Sequence, residues 1–177
     1  MASFQDRIIR AAKLDVHLYE EVEADKGAMG QAMGVVVLSS IAGGIGTPAG
    51  MGFGGIFIGT IAALVAWYVW AFLTYLIGTK LLPETQTKAD VGELLRTIGF
   101  SSSPGMIRVL GIIPFLRGLV FLVAGVWMLV AMIIAVRQAL DYRSTLRAVG
   151  VCIIGWIVQA LILVVVFFIV GGAGGPV

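Results

Sequence analysis

Charged residues, cysteine and histidine are all scarce in this sequence. Lysine, arginine, aspartate and glutamate together make up 12% of the 177 residues, whereas they make up about 25% of an average soluble domain. With one cysteine and one histidine, the chain can form no internal disulfide and has no zinc-ligand spacing. No Ser/His/Asp constellation can be assembled around His17. These absences predict a protein that is not an enzyme and that needs no metal or other cofactor.

Apolar residues take the place of the missing charges. The sequence is 59% hydrophobic and its mean hydropathy is +1.03, more than a soluble core of this length needs. One polytopic membrane domain is therefore expected, with membrane lipids around it. The net charge of +2 comes from internal blocks and not from a basic tail, so nucleic acid is not an expected partner. The N-terminal segment lacks the short apolar stretch and the cleavage site of a signal peptide.

The basic residues fall into blocks that alternate with apolar runs, and this alternation predicts a topology. No charged residue occurs between Lys26 and Lys80. If the chain crosses the membrane five times, all of the 12 basic residues except Arg108 and Arg117 lie on one side. Positively charged segments stay in the cytoplasm during insertion. The N-terminus is therefore expected inside and the C-terminus outside.

The expected fold class is all-α: a polytopic membrane helix bundle with five transmembrane helices, preceded by an amphipathic cytoplasmic helix. That helix is assigned to residues 1–27, where apolar residues recur every three or four positions from Phe4 to Tyr19. The membrane domain is assigned to residues 28–177. Its spans are predicted at residues 28–45, 56–77, 97–116, 118–136 and 149–170.

The helix of the third span is predicted to break or kink at Pro104, and the span as a whole is predicted to be kinked. Pro104 removes a backbone donor and disfavours helical geometry in the residue before it. Arg108 follows at a depth where insertion scales put the cost of an arginine at about 2.5 to 3.5 kcal/mol. Its side chain is therefore expected to snorkel or to find carbonyls, serine hydroxyls or a carboxylate.

A charge network is predicted at the cytoplasmic ends of the third and fourth spans. Charges this near hydrocarbon persist only when they are paired or hydrated. Arg96 or Arg108 is expected to pair with one of the nearby carboxylates. The predicted members are Asp90, Glu93, Arg96, Arg108, Arg137 and Asp141.

The end of the N-terminal helix carries an acidic cluster that is either a solvated helix end or a surface for a partner. The residues of this predicted surface are Tyr19, Glu20, Glu21 and Glu23. Glycines then line one side of the first span, where small residues let another backbone approach. These predicted packing residues are Gly27, Gly30 and Gly34, and packing within the chain is favoured over dimerisation.

Three tryptophans fall near the middle of predicted spans, away from the interfacial belts where tryptophan is usually enriched. They are Trp67, Trp70 and Trp127. Indoles at this depth are expected to pack against glycine-rich neighbours. The alternative is that they contact a bound lipid, quinone or pigment.

Three stretches together resemble the Yip family of five-span, Ypt/Rab-interacting membrane proteins, and specifically its prokaryotic branch. They are LDVHLYEEVEADKGAMGQA from residue 14, GTKLLPETQTKADVGELLRTIGFSSSP from residue 78, and VRQALDY from residue 136. The resemblance covers nearly the whole chain and implies the same five-span architecture. Eukaryotic members bind prenylated Rab GTPases, but this sequence lacks their cytosolic extension and Asp-Leu-Tyr-Gly-Pro motif. A prokaryotic cytoplasmic membrane is the expected location.

A non-catalytic scaffold that binds partners through its cytoplasmic face is the function favoured by the sequence. The partners would be other membrane or cytoplasmic proteins, a larger complex or further copies of the chain. One alternative is an accessory subunit of a large respiratory or photosynthetic complex. Another is a small transporter or channel, because intramembrane polar groups and a broken helix are features that transporters use.

Overall fold

The computed structural model describes residues 2–47 and 52–172, and every regular element in these ranges is helical. The α-helices are α1 (Phe4–Ala12), α2 (Val16–Ala24), α3 (Met29–Ile45), α4 (Gly52–Leu76), α5 (Val91–Ser101), α6 (Arg117–Ala139) and α7 (Thr145–Gly172). A 3₁₀ turn over Lys26–Ala28 leads into α3, and a wider π-helical turn over Ile77–Leu81 extends α4. The all-α prediction is thus confirmed for this part of the chain, and the predicted external tail at residues 173–177 lies outside it.

Four helical stretches in the described ranges are long and apolar enough to cross a membrane. They are Lys26–Ile45, Gly52–Leu81, Arg117–Ala139 and Thr145–Ile162. Each overlaps one of the predicted spans, namely the first, second, fourth and fifth. The π-helical turn, α6 and α7 meet at one end of the bundle, where the Tyr142 hydroxyl donates to the Gly78 and Leu82 carbonyls at 2.9 and 2.7 Å.

The predicted third span consists of two helices in place of one kinked helix. After α5 ends at Ser101, a 3₁₀ helix runs over Ser103–Ile112. Pro104 lies in the first turn of this 3₁₀ helix, where the missing N–H leaves no bond unmade. Such a long 3₁₀ run is uncommon. It is buried at its start, where Ser103, Pro104 and Gly105 are enclosed by the protein.

Glycines let this segment lie directly against α3. A Cβ at Gly99 would be 2.8 Å from the Cβ of Ala32, and one at Gly105 would overlap the Ser39 hydroxyl. At Gly111 the added atom would be 2.9 Å from the Gly46 carbonyl oxygen. The three contacts are thus six residues apart on the segment. On the other side they are seven residues apart, at Ala32, Ser39 and Gly46, the last of which directly follows α3. The segment and α3 therefore run in the same direction, and side chains of α6 close the contacts, since Phe121 lies against Gly111 and Met128 lies against Gly105.

The N-terminal region is a helical hairpin, so the prediction of one helix over residues 1–27 is wrong. The chain turns at Leu14, whose φ of 62° lies in the left-handed region. Asp15 then starts α2 by accepting a hydrogen bond from the His17 N–H. One apolar side of the hairpin faces the bundle, and its buried residues are Ala11, Leu18, Tyr19 and Val22.

Replacing Gly99 by alanine should destabilise the protein, because the new methyl group meets both the Cβ and the carbonyl oxygen of Ala32. Overpacking of this kind costs about 1 to 3 kcal/mol. Gly125→Ala is the matched control, since a Cβ there has no atom within 4 Å. Thermal unfolding in detergent should show a lower midpoint for Gly99→Ala and no loss for Gly125→Ala. Equal midpoints would contradict the close approach.

Candidate interaction site at the charged end of the bundle

The charged face is defined here as the end of the bundle formed by α1, α2, the loop over residues 82–90 and the turn over residues 140–144. Its parts are joined by hydrogen bonds to the backbone. Arg147 donates to the Pro83 carbonyl at 2.8 Å, and Glu84 accepts from the backbone N–H of Arg143 at 3.1 Å. That backbone bond is the main reason why the pKa of Glu84 is lowered.

Two arginines of α1 hold the hairpin together in what is called here the arginine clasp. Arg7 is 4% exposed, and its guanidinium donates to Glu21 at 2.9 Å and to Asp25 at 2.8 Å. Arg10 donates to Asp15 at 2.8 Å and to the other Glu21 oxygen at 2.7 Å. A buried guanidinium is tolerated because its donors are satisfied by carboxylates.

The clasp is ionised at neutral pH. The hydrogen bond from Arg10 lowers the pKa of Glu21, and further bonds from Arg7 act in the same direction despite partial burial. The hydrogen bond from Arg7 lowers the pKa of Asp25, and that from Arg10 lowers the pKa of Asp15. The clasp also reaches the bundle itself, because Arg7 donates to the side-chain oxygen of Gln31 in α3 at 3.0 Å.

The predicted pairing of Arg96 or Arg108 with a carboxylate is wrong. Arg96 is buried and donates to the Val22 carbonyl at 2.8 Å and to the Glu23 carbonyl, both in the last turn of α2. Arg108 donates to the Ser39 carbonyl and hydroxyl at 2.8 Å and to the Gly105 carbonyl at 2.9 Å. The α2 carbonyls are at a helix end, where such groups lack partners within the helix, whereas Ser39 lies inside α3. These oxygens serve in place of carboxylates.

The other predicted members of the network have separate roles. Asp90 and Glu93 form a capping box at the start of α5, with bonds of 2.8 and 2.7 Å to each other's backbone N–H. Arg137 donates to the Tyr142 carbonyl at 3.2 Å. Asp141 is exposed and has a left-handed backbone with φ of 52°. No ion pair joins any of these four residues in the described part of the chain.

Glu93, Arg137 and Asp141 nevertheless line one cleft of about 580 Å³, called here the acidic cleft, whereas Asp90 does not line it. Four carboxylates and two guanidinium groups line it, so its charge is negative when all are ionised. Burial raises the pKa of Glu23 to about 7, and the neighbouring charges of Asp141 and Glu93 add to this shift. The ionisable residues of the acidic cleft are Glu20, Glu23, Glu93, Arg137, Asp141 and Arg143.

The predicted partner surface at the end of the N-terminal helix is divided by the fold. Tyr19 is fully buried and its hydroxyl donates to the Ala11 carbonyl at 3.4 Å, so it cannot touch a partner. Glu21 belongs to the arginine clasp. Glu20 and Glu23 remain, and both line the acidic cleft, where Glu20 accepts from the Gln138 amide at 2.9 Å.

Of the predicted packing glycines, Gly34 lies against another helix, whereas Gly27 and Gly30 do not. A Cβ at Gly30 would have no atom within 4 Å, and one at Gly27 would meet only its neighbour Asp25. Gly34 does make a contact, since an added Cβ would lie 3.3 Å from the Phe4 ring of α1. Close helix packing against α3 instead uses the three glycines of the α5 and 3₁₀ segment.

The indole N–H of each predicted tryptophan is satisfied inside the protein. Trp67 donates to the Leu95 carbonyl at 3.0 Å, and Trp70 donates to the Met132 sulfur at 2.8 Å. Trp127 donates to the Ala12 carbonyl at 2.8 Å and so fixes the end of α1 to α6. The rings of Trp67 and Trp70 also line a cavity within the bundle.

The arginine clasp was missed by the sequence reasoning, although it left a signal. Arg7 and Arg10 are three residues apart, and Glu21 and Asp25 are four apart, which places each pair on one face of its helix. Two short helices with complementary charged faces are a pattern for a hairpin. In the described residues, no group of three or more His, Cys, Asp or Glu side chains is arranged to hold a metal ion.

The described part of the chain is all-helical, with four membrane-length apolar stretches and a charged end, and this makes the protein an integral membrane protein. The family described as the Yip1 domain matches residues 25–167. The chain therefore belongs to the Yip family, as its resemblance predicted. No curated protein and no solved structure matches it.

Glu23 should make the stability of the protein fall as the pH rises. An unfolded glutamate titrates near pH 4.3, whereas the pKa of Glu23 in the folded protein is about 7. The folded state therefore holds the proton more tightly, and stability is lost between about pH 4.3 and pH 7. Glu23→Gln should make the thermal unfolding midpoint less dependent on pH over this range. Glu20→Gln is the control at an exposed position, and its unfolding midpoint should still fall as the pH rises. If the midpoint of Glu23→Gln fell with pH as in the unmodified protein, Glu23 would not be the cause of the fall.

Loss of the shared carboxylate should open the arginine clasp. Glu21→Gln removes the charge that both Arg7 and Arg10 contact, so α1 should separate from α2 more often. Trypsin should then cut faster after Lys13, which is exposed beside the turn. Glu20→Gln is the matched control and should leave the rate unchanged. Cleavage at the same rate in both variants would show that the clasp does not hold the hairpin.

Proposed function

We propose that this protein is a non-catalytic membrane scaffold that binds a partner protein through its charged face. In this proposal the chain crosses a prokaryotic cytoplasmic membrane five times, with the N-terminus and the charged face inside and the C-terminus outside. The observation that carries the proposal is the acidic cleft, because it gathers exposed charges on a rigidly held surface. Each part of the argument rests on a separate feature of the fold.

The path of the third segment supports five crossings. Helix α5 has 11 residues and the 3₁₀ helix has 10, which correspond to about 16 and about 20 Å of rise. Their sum exceeds the roughly 30 Å of a hydrocarbon core. The segment starts beside α2, where Arg96 binds, and reaches the far end of α3, where Arg117 donates to both the Gly46 and Gly111 carbonyls. Five crossings also place the basic blocks inside.

The surface around the acidic cleft is held in place by the bundle. The arginine clasp joins α1 to α2, Arg96 joins the end of α2 to α5, and Trp127 joins the end of α1 to α6. A surface fixed in this way loses little conformational entropy when a partner binds. Rigid presentation of charged groups is what a scaffold requires.

The chemistry of the cleft favours a basic segment of the partner. Glu20 and Asp141 are exposed at its rim, and Glu23 and Glu93 lie deeper. Lysine or arginine side chains entering the cleft would neutralise these carboxylates and lower the pKa of Glu23. Contacts of this kind are steered by charge and weaken with salt.

Site-specific photo-cross-linking in the native membrane tests this proposal. A photoreactive residue at Arg143, in the cleft, should give a discrete protein adduct, whereas one at Ile112, at the opposite end, should not. The double reversal Glu20→Lys with Asp141→Lys should reduce the Arg143 adduct at least several-fold. Asp6→Lys makes the same type of charge change outside the cleft and should leave the adduct in place.

Two results would contradict the scaffold proposal. One is the absence of any adduct from the cleft, or an adduct that is indifferent to the double reversal. The other is movement of a solute or ion by the purified protein in liposomes, unaffected by the same reversal, which would favour the transporter alternative. Co-migration of the adduct partner with a large assembly on native gels would specify an accessory-subunit role.

A further inference from the structure

A partly open cavity of about 590 Å³ lies among α3, α4, α5, α6, α7 and the 3₁₀ helix. Much of its wall has little or no side chain, because small residues of α3 and α4 face it. These residues include Gly43, Gly44, Gly55, Gly59, Ala63 and Ala66. Indoles form another part of the wall, where the rings of Trp70 and Trp156 lie 6.4 Å apart between centroids. Pockets of this size hold small ligands.

Two polar side chains in this wall have hydrogen-bond capacity to spare. Arg108 uses Nε and Nη2 for its bonds to Gly105 and Ser39, and Nη1 makes none within the described residues. The Gln159 amide likewise has no hydrogen-bond partner among the described residues. Both side chains line the cavity. A ligand with an oxygen atom beside either side chain would therefore meet a free N–H donor.

The charge of Arg108 is not balanced by a carboxylate. All ten acidic residues of the sequence lie at residues 6–25, 84–93 or 141, and none lines this cavity. The partners of Arg108 are neutral carbonyls and one hydroxyl. A cation in an apolar environment is strongly stabilised by an anion. The cavity thus favours a ligand that has a negatively charged group beside Arg108 and is apolar elsewhere.

We propose that this cavity binds a single-chain anionic amphiphile of the long-chain carboxylate class. Its carboxylate accepts a hydrogen bond from Arg108 Nη1, and its hydrocarbon chain lies along the glycine-lined wall beside the indoles. A single chain with a small head matches the volume of the cavity better than a two-chain phospholipid does. This site is separate from the charged face, so it stands independently of the scaffold function.

Tryptophan quenching by a dibrominated stearate tests the site, because bromine quenches an indole on contact. Three of the four tryptophans line the cavity. Titration of the purified full-length protein in neutral detergent should give saturable quenching by the carboxylate. The methyl ester has the same chain without the charge, and it should bind at least about tenfold more weakly, as expected for loss of a hydrogen bond to a charged group. A brominated phospholipid should behave like the methyl ester.

Two variants with matched controls locate the bound molecule. Arg108→Gln should remove the preference for the carboxylate over its ester, whereas Arg117→Gln should keep it, because Arg117 binds carbonyls outside the cavity. Gly59→Leu should abolish saturable quenching by placing a side chain in the cavity. Gly125→Leu should not, although a Cβ meets no atom within 4 Å at either position.

The proposal is overturned if the ester or the phospholipid quenches as tightly as the carboxylate. It is also overturned if quenching by the carboxylate survives Gly59→Leu unchanged. Should Arg108→Gln fail to fold, the Gly59→Leu comparison decides the question with Arg108 intact. Binding of a neutral quinone in preference to the carboxylate would equally contradict an anion site.

Discussion

The structure depends on satisfying a polar, irregular segment inside a bundle of apolar helices. Backbone N–H and C=O groups in hydrocarbon must find partners, and irregular backbone is tolerated at membrane depth only where protein encloses it. If the α5 and 3₁₀ segment crosses the membrane as proposed, it meets this requirement by lying against α3, with Gly99, Gly105 and Gly111 opposite small residues. Helix α4 packs against α3 and α5, and α6 packs against α5 and the 3₁₀ helix.

Arg96, which is buried, and Arg108, which is partly buried, donate to backbone and serine oxygens. Arg96 completes the carbonyl end of α2, and Arg108 links α3 to the 3₁₀ helix through Ser39 and Gly105. A fork of five donors suits such sites, where several acceptors converge. The arginine clasp is the exception, because carboxylates supply its acceptors. Together these bonds fix the charged face to the bundle of long apolar helices. Within the described part of the chain, Arg108 keeps one nitrogen, Nη1, free to donate a hydrogen bond beside the cavity.

The sequence predicted the helical class, the long apolar helices and the family because long hydrophobic runs and charge blocks are strong signals. Arg108 also met the predicted alternative of carbonyls and a serine hydroxyl. The hairpin was not predicted, since a leucine with positive φ at Leu14 is uncommon. In one continuous helix Arg7 and Glu21 would be about 21 Å apart, which hid the clasp. The six-residue spacing of Gly99, Gly105 and Gly111 matches no α-helical period, so it did not predict helix packing. The Gly30 and Gly34 pair has α-helical spacing and was predicted instead.

The central claim is that the third segment passes through the bundle from one end to the other. Labelling of single cysteines by a membrane-impermeant maleimide, in a Cys152→Ser background, tests this most directly. Lys88 precedes the segment, and Phe115, which is 83% exposed, follows it. The account predicts that Lys88→Cys reacts only from the cytoplasmic side and Phe115→Cys only from the outside. Reaction of both cysteines from the same side would make the segment re-entrant and would contradict the account.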